Sequence, residues 1–182
     1  MNVLLFLATG FEEIEALATV DILRRAGINV QMVSVTGEYT VTGSHAINVE
    51  TDFLIEDADF DSASMLILPG GLPGSTNLAA HELLCQRIHE HVASNRPVSA
   101  ICAAPLVLGR LGLLAGHRAT CYPGVEGELA GATYTSAMVE QDGLFITGKG
   151  PAAAFDFAYT IVERMLDKAT ADGIRAGMLW SK

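Results

Sequence analysis

Positive charge, long apolar runs and cysteine are all scarce in this chain. Eleven Lys and Arg stand against 21 Asp and Glu, a formal net charge of −10, and the sequence pI is near 4.8. A chain so acidic repels phosphate backbones and anionic headgroups, which argues against nucleic acid as a direct partner. The N-terminal apolar stretch from Val3 to Ala8 is far shorter than the roughly 20 residues of a membrane span. No Lys or Arg precedes it, as a secretory signal would require. No membrane association and a cytoplasmic location are therefore expected. The three cysteines, Cys85, Cys102 and Cys121, are odd in number and show no CxxC or Cys/His finger spacing. A disulfide framework and a structural zinc site are both disfavoured, and at least one thiol lacks an intramolecular partner.

What the chain has in quantity is apolar residues, 50% of 182, with only 18% charged. That composition excludes disorder and supports a sizeable core. No linker, low-complexity segment or internal repeat interrupts it, so one domain over residues 1–182 is expected. Short apolar runs alternate with helical patterns. Strands are expected at Met1 to Leu7, Asn29 to Val35, Met65 to Leu68, Pro97 to Ile101 and Arg118 to Cys121. Helices are expected at Glu12 to Ala26, with Ile14, Leu17, Ala18 and Leu23 on its apolar face, and at Ala80 to Ser94, Ala103 to Leu114 and Pro151 to Lys168. Two hairpins complete the pattern, one of Thr40 to Val41 with Ala46 to Glu50, the other of Met138 to Glu140 with Leu144 to Thr147. This alternation predicts an α/β sandwich with a mostly parallel sheet. Ligands in such sheets sit outside the carboxyl ends of the strands, which draws attention to Ala8 to Glu15, Pro69 to Gly74 and Cys102 to Pro105.

The third of these segments, within Ser99-Ala-Ile-Cys-Ala-Ala-Pro105, carries a cysteine where a buried strand turns into a helix. Small neighbours permit a tight nucleophile elbow, and a helix N-terminus there would favour thiolate at Cys102. A small buried core cysteine would give the same pattern. The Gly70-Gly71 pair lets the backbone approach a ligand, so the Gly71 and Ala103 amides can serve a developing oxyanion; a simple turn between strand and helix is the alternative. Among the acidic residues of Gly10-Phe-Glu-Glu-Ile-Glu15, Glu12 and Glu13 fit a solvated first turn. Glu15 lies at the beginning of the apolar segment, where burial would raise its pKa and keep it protonated beside a cysteine.

Gly143, Gly148 and Lys149 approach a phosphate-binding loop, but Gly150 replaces its Ser or Thr and the residues between read as strand. His81, His89 and His91 fall in one expected helix and read as a solvated face rather than a metal site. Cys85 reads as packing, and Cys121 either as packing or as a resolving thiol for Cys102.

GFEEIE, ILPGG and AICAAP, in this order and at these separations, resemble the ThiJ/PfpI superfamily, in its branch around the Parkinson-disease protein DJ-one and its bacterial relatives. GRLGLLAG, ITGKGP and FDFAYTIVE fall where that branch has counterparts. The resemblance implies a flavodoxin-like three-layer sandwich with a small accessory hairpin, a homodimer, Cys102 as nucleophile, Glu15 hydrogen-bonded to it, and Gly71 with Ala103 and Gly70 at the oxyanion position. Two positions depart from the pattern. Ala103 stands where the protease-like branch has histidine, which makes peptidase activity unexpected. Tyr122 stands where a histidine commonly precedes Pro123, leaving Glu15 as the obvious acid/base group and Tyr122 as an accessory. His45 occupies the hairpin neighbourhood where an arginine tends to reach across the dimer. The expected activity is cofactor-independent and metal-free: a cysteine-dependent glyoxalase or deglycase acting on α-oxoaldehydes such as methylglyoxal or on their early glycation adducts. The alternative is a non-enzymatic oxidative-stress sensor or redox-regulated chaperone working through oxidation of Cys102.

Overall fold

The computed structural model describes residues 1–180. Eleven strands and six α-helices follow in the order β1 (Asn2–Leu7), α1 (Glu13–Arg25), β2 (Asn29–Ser34), β3 (Thr40–Thr42), β4 (Asn48–Glu50), β5 (Phe53–Leu54), β6 (Ala63–Leu68), α2 (Gly74–Ala80), α3 (Glu82–Ala93), β7 (Val98–Ile101), α4 (Pro105–Arg110), β8 (Arg118–Ala119), β9 (Thr133–Tyr134), β10 (Val139–Asp142), β11 (Phe145–Gly148), α5 (Ala154–Met165) and α6 (Lys168–Gly177). The main sheet runs β10-β11-β7-β6-β1-β2-β5. Every neighbouring pair is parallel except β10 with β11.

Both faces of this sheet are covered, which is why its central strands read as continuous apolar runs. Successive side chains alternate between two cores. Val3, Leu5, Leu7, Met65 and Ile67 pack with residues of α1 and α5, whereas Leu4, Phe6, Leu66 and Leu68 pack with Leu78, Leu84, Ile88 and Leu106 of α2, α3 and α4. The expected α/β sandwich is thus realised in three layers. Two small ribbons, β3-β4 and β8-β9, stand apart from the main sheet.

Several expected elements change shape for identifiable reasons. The helix expected at 80–94 begins earlier, at Gly74, and is divided at His81. That residue is extended (φ −84°, ψ 101°), and its Nδ1 accepts the Leu84 amide to start α3. The helix expected at 103–114 is confined to Pro105–Arg110, and the chain then turns through Gly112 at φ +72°. The helix expected at 151–168 opens with a 3-10 turn and ends at Met165. There Asp167 caps a second helix, its carboxylate accepting the Thr170 amide at 2.7 Å instead of letting α5 continue. Arg118 to Cys121 yields only the two-residue β8, paired with β9 outside the main sheet.

Helix α1 departs most from its pattern. Its buried residues are Glu13, Glu15, Ala16, Thr19, Val20, Ile22 and Leu23, while Ile14 and Leu17 of the expected apolar face are 54% and 38% exposed. Glu12 caps it by accepting the Glu15 amide at 2.8 Å. The acidic first turn is therefore turned inward, and two large apolar side chains are left outside.

His91 likewise lies inside rather than on a solvated face. It is 1% exposed, with Nε2 against the Pro97 carbonyl at 3.2 Å. Burial, aided by nearby Arg96, lowers its pKa to about 4. An unfolded histidine titrates near 6.5, so below that pH the unfolded chain binds a proton that the folded chain refuses. Stability should be full above pH 6.5 and fall as pH drops toward 4. Glutamine keeps a donor for Pro97 without titrating. Denaturant unfolding of His91→Gln should therefore lack a part of the wild-type acid loss, about 3 kcal/mol between pH 7 and 4. Parallel pH profiles in the two proteins would disprove the assignment.

Candidate active site

Three loops at the carboxyl ends of β1, β6 and β7 meet as expected, and the first two lock together through their backbones. The Glu12 amide donates to the Gly70 carbonyl at 2.9 Å, the Gly74 amide to Gly10 at 3.2 Å and the Ser75 amide to Gly71 at 2.8 Å. Gly71 adopts φ +91°, and a Cβ there would stand 2.5 Å from both the Glu12 nitrogen and the Gly10 oxygen. Only glycine fits this crossing.

Cys102 takes φ +64°, a left-handed conformation rare for a residue with a side chain. Such a residue costs about 1–3 kcal/mol and persists only where its surroundings hold it. Here the Cys102 amide donates to Gly148 of β11 at 2.8 Å, and the Cys102 carbonyl accepts the Tyr122 amide at 2.8 Å. The bend is a strand-to-helix elbow, as expected, but α4 starts only at Pro105 and spans six residues. The helix dipole expected to acidify the thiol is correspondingly small.

Glu15 is 1% exposed, and its Oε2 accepts the Gly70 amide at 2.8 Å. Its Oε1 is buried with no hydrogen-bond partner among the described residues, and the carboxyl lies beside the Cys102 thiol. Gly70 separates the two side chains so closely that a Cβ would lie 2.5 Å from Cys102 Cβ and 2.5 Å from Glu15 Oε2. Burial dominates the electrostatics. It raises the Glu15 carboxyl to about 7; burial and then the neighbouring Glu15 charge push the Cys102 thiol up to about 12. The Gly71 and Ala103 amides hydrogen-bond toward the sulfur and act in the opposite direction. Two buried anions this close are resisted, so the pair sheds one proton near pH 7 and keeps the second until about pH 12.

Of the expected residues, Cys102, Glu15, Gly70, Gly71 and Ala103 are thus brought together. Cys102, Gly71, Ala103 and Tyr122 line a pocket of about 220 Å³, with Glu12, Leu72, Val125 and Pro151. Tyr122 is 49% exposed at its edge. His45 is not in this pocket: its amide and Nδ1 lie 2.7 Å from the Glu13 carboxylate, tying the β3-β4 turn to α1. Glu12 and Glu13, read as solvated, are 7% and 4% exposed. With His45 they bring three potential metal-ligand atoms within 4.8 Å of one another. Those atoms are engaged internally, Glu13 by His45 and Ser44 and Glu12 by the Glu15 amide.

Val125, Leu72 and Pro151 escaped the sequence reading. Pro151 was within reach of it, because β11 is a parallel strand and Gly148 to Pro151 leaves its carboxyl end; reading that strand only as half of a hairpin hid the loop. Cys121 is fully buried in the core layer opposite the one containing Cys102, consistent with packing. The strand reading of the Leu144 to Thr147 segment also holds.

A profile of the DJ-1/PfpI family matches residues 1–164. Protein DJ-1 homolog A of Arabidopsis thaliana is 36% identical over 98% of this chain, which spans only 46% of that protein. The glutathione-independent glyoxalase DJR-1.2 of Caenorhabditis elegans is 33% identical over 85% of this chain and 82% of its own length. The solved structure of oxidized Toxoplasma gondii DJ-1 superimposes with a TM-score of 0.95 at 32% identity, covering 100% of this chain and 99% of that one. With its elbow, its interlocked glycine loops and this similarity along nearly its whole length, the chain belongs to the DJ-1/PfpI family.

Proposed function

We propose that this protein is a cofactor-independent glyoxalase that converts α-oxoaldehydes such as methylglyoxal to 2-hydroxy acids, and that the same chemistry extends to early glycation adducts of these aldehydes. The observation that carries this reading is the buried Glu15 carboxyl joined to Cys102 on a strained elbow, with the Gly71 and Ala103 amides on the sulfur. The name of the similar Caenorhabditis elegans glyoxalase supports it.

In the proposed reaction the Cys102 thiolate adds to the aldehyde carbon while protonated Glu15 retains the pair's proton. A C–S bond forms, the carbonyl π electrons move to oxygen, and the Gly71 and Ala103 amides hold that oxyanion until it takes the Glu15 proton. Ionised Glu15 then removes the hydrogen from the carbon bearing sulfur while the keto oxygen takes a proton, giving an enediol. The hydroxyl on the sulfur-bearing carbon gives up its proton as its C=O forms, and Glu15 returns its proton to the neighbouring former keto carbon. This internal redox step leaves a 2-hydroxy thioester. Water adds to the thioester carbonyl, its surplus proton passes to ionised Glu15 and the C–S bond breaks, returning thiolate beside protonated Glu15 and releasing the hydroxy acid. Neither an external oxidant nor a reductant is consumed.

Homodimer formation belongs to the same proposal. Ile14 and Leu17 on α1 and Ile47 on the β3-β4 turn are 54%, 38% and 52% exposed. Ile14 and Ile47 border one groove of about 420 Å³ with Glu13, His45 and Pro151. A second copy related by a two-fold axis would bury these side chains.

Two measurements test these readings. Glu15→Gln preserves a donor for sulfur and an acceptor for Gly70 but cannot exchange a proton. Its kcat with methylglyoxal should fall at least about a hundredfold, with Cys102 alkylation by iodoacetamide changed far less, while Cys102→Ser should abolish turnover. Full turnover in Glu15→Gln would remove the carboxyl from the mechanism, and wild-type protein modified once without turnover would favour sensing over catalysis. Light scattering at micromolar concentration should give twice the 19.2 kDa chain mass, and Ile14→Asp with Ile47→Asp should give the monomer. A monomeric wild type would refute the dimer.

A further inference from the structure

The pocket over Cys102 does not end at Tyr122. A second cavity, of about 210 Å³, adjoins it and is lined by Tyr122, Pro123, Met138, Gly150, Pro151 and Ala152, with Lys149. Tyr122 and Pro151 line both spaces. The Tyr122 backbone is pinned to the reactive residue, its amide donating to the Cys102 carbonyl at 2.8 Å. Its ring lies along Gly150, where a Cβ would stand 3.2 Å from Tyr122 Cδ2. The Lys149 ammonium is held by Ser136, through the carbonyl at 3.1 Å and Oγ at 2.8 Å. The second cavity is walled chiefly by a tyrosine ring, two prolines and a methionine, and among the described residues no carboxylate lines it.

Methylglyoxal needs none of this space. The pocket over Cys102, at about 220 Å³, equals roughly seven water volumes of ~30 Å³ each, enough for its five heavy atoms. We propose that the adjoining cavity receives the substituent of a larger substrate, an α-oxoaldehyde R–CO–CHO in which R is a flat apolar ring, with Tyr122 as the specificity-determining side chain between the reacting carbonyl and that ring. This inference rests on the glyoxalase reading above. The rigid, planar character of the Tyr122, Pro123 and Pro151 walls favours a ring over a flexible chain, because a planar ring stacks on them with little conformational freedom to lose. The hydrophobic contact should appear in kcat/KM, since apolar groups that fit a pocket discriminate between substrates by tenfold or more.

Phenylglyoxal and methylglyoxal share the reacting carbonyls and differ in R, so their kcat/KM ratio reads the second cavity directly. In wild type the ratio should favour phenylglyoxal by at least about tenfold. Ala152→Phe and, from another wall, Met138→Trp should each fill the cavity and lower the ratio about tenfold. A second readout does not need turnover: mandelate and lactate, the corresponding hydroxy acids, should protect Cys102 from iodoacetamide, mandelate at a concentration at least about tenfold lower, and Ala152→Phe should erase that difference. Turnover of both aldehydes without preference, or a wild-type preference retained in both filled variants, would overturn the inference while leaving the glyoxalase reading intact. Selective protection by mandelate without turnover of either aldehyde would uphold the cavity and refute the glyoxalase. Equal protection by the two acids would overturn the cavity.

Discussion

A single backbone position, Gly70, decides whether the rest of the site can exist. It lets the β6 loop pass between the Glu15 carboxyl and the Cys102 side chain, and any Cβ there would collide with both at 2.5 Å. The Gly70 carbonyl takes the Glu12 amide while its own amide holds Glu15 Oε2. The same residue therefore anchors the start of α1, orients its buried acid and sets that acid's separation from the thiol. The positive φ of Cys102 becomes tolerable because β11 and the Tyr122 segment fix the elbow from two other sides.

Burial, rather than a helix dipole, then governs the chemistry. The short α4 offers little positive potential to the sulfur, and a desolvated thiol beside an ionised carboxylate stays protonated. Moving the proton onto Glu15 removes that opposition and leaves two amides to stabilise the thiolate. A buried glutamate is thus not a contradiction of the fold but the group that makes a buried nucleophile usable in the proposed reaction. The inward turn of α1 that places it also explains why Ile14 and Leu17 are left on the surface.

The central strands were readable because burial on two faces writes itself as uninterrupted apolar sequence, and Gly70-Gly71, Cys102 and Glu15 could be singled out by their places at strand ends. The breaks in the helices were not readable from periodicity. Asp167 and His81 stop or start helices through side-chain bonds to specific amides, local competition that an apolar pattern does not record. The inward-facing Glu13 was missed for a related reason, since the His45 turn that binds its carboxylate arrives from a distant segment, and Glu12 is drawn in with it as its backbone amide bonds the Gly70 carbonyl and its carboxylate caps α1. His91 was misplaced because its partner is the Pro97 carbonyl beyond the end of its own helix.

From about pH 7, where the first proton leaves the pair, up to about 12, one proton is shared between Glu15 and Cys102, and that sharing can be measured without substrate. Infrared difference spectra, with Glu15→Gln as the reference, report the protonated carboxyl; ultraviolet absorbance, with Cys102→Ser as the reference, reports thiolate in the same pH series. Below the upper ionisation near 12, every Cys102 thiolate should be matched by a protonated Glu15. Thiolate at neutral pH beside a fully ionised Glu15 would contradict the account.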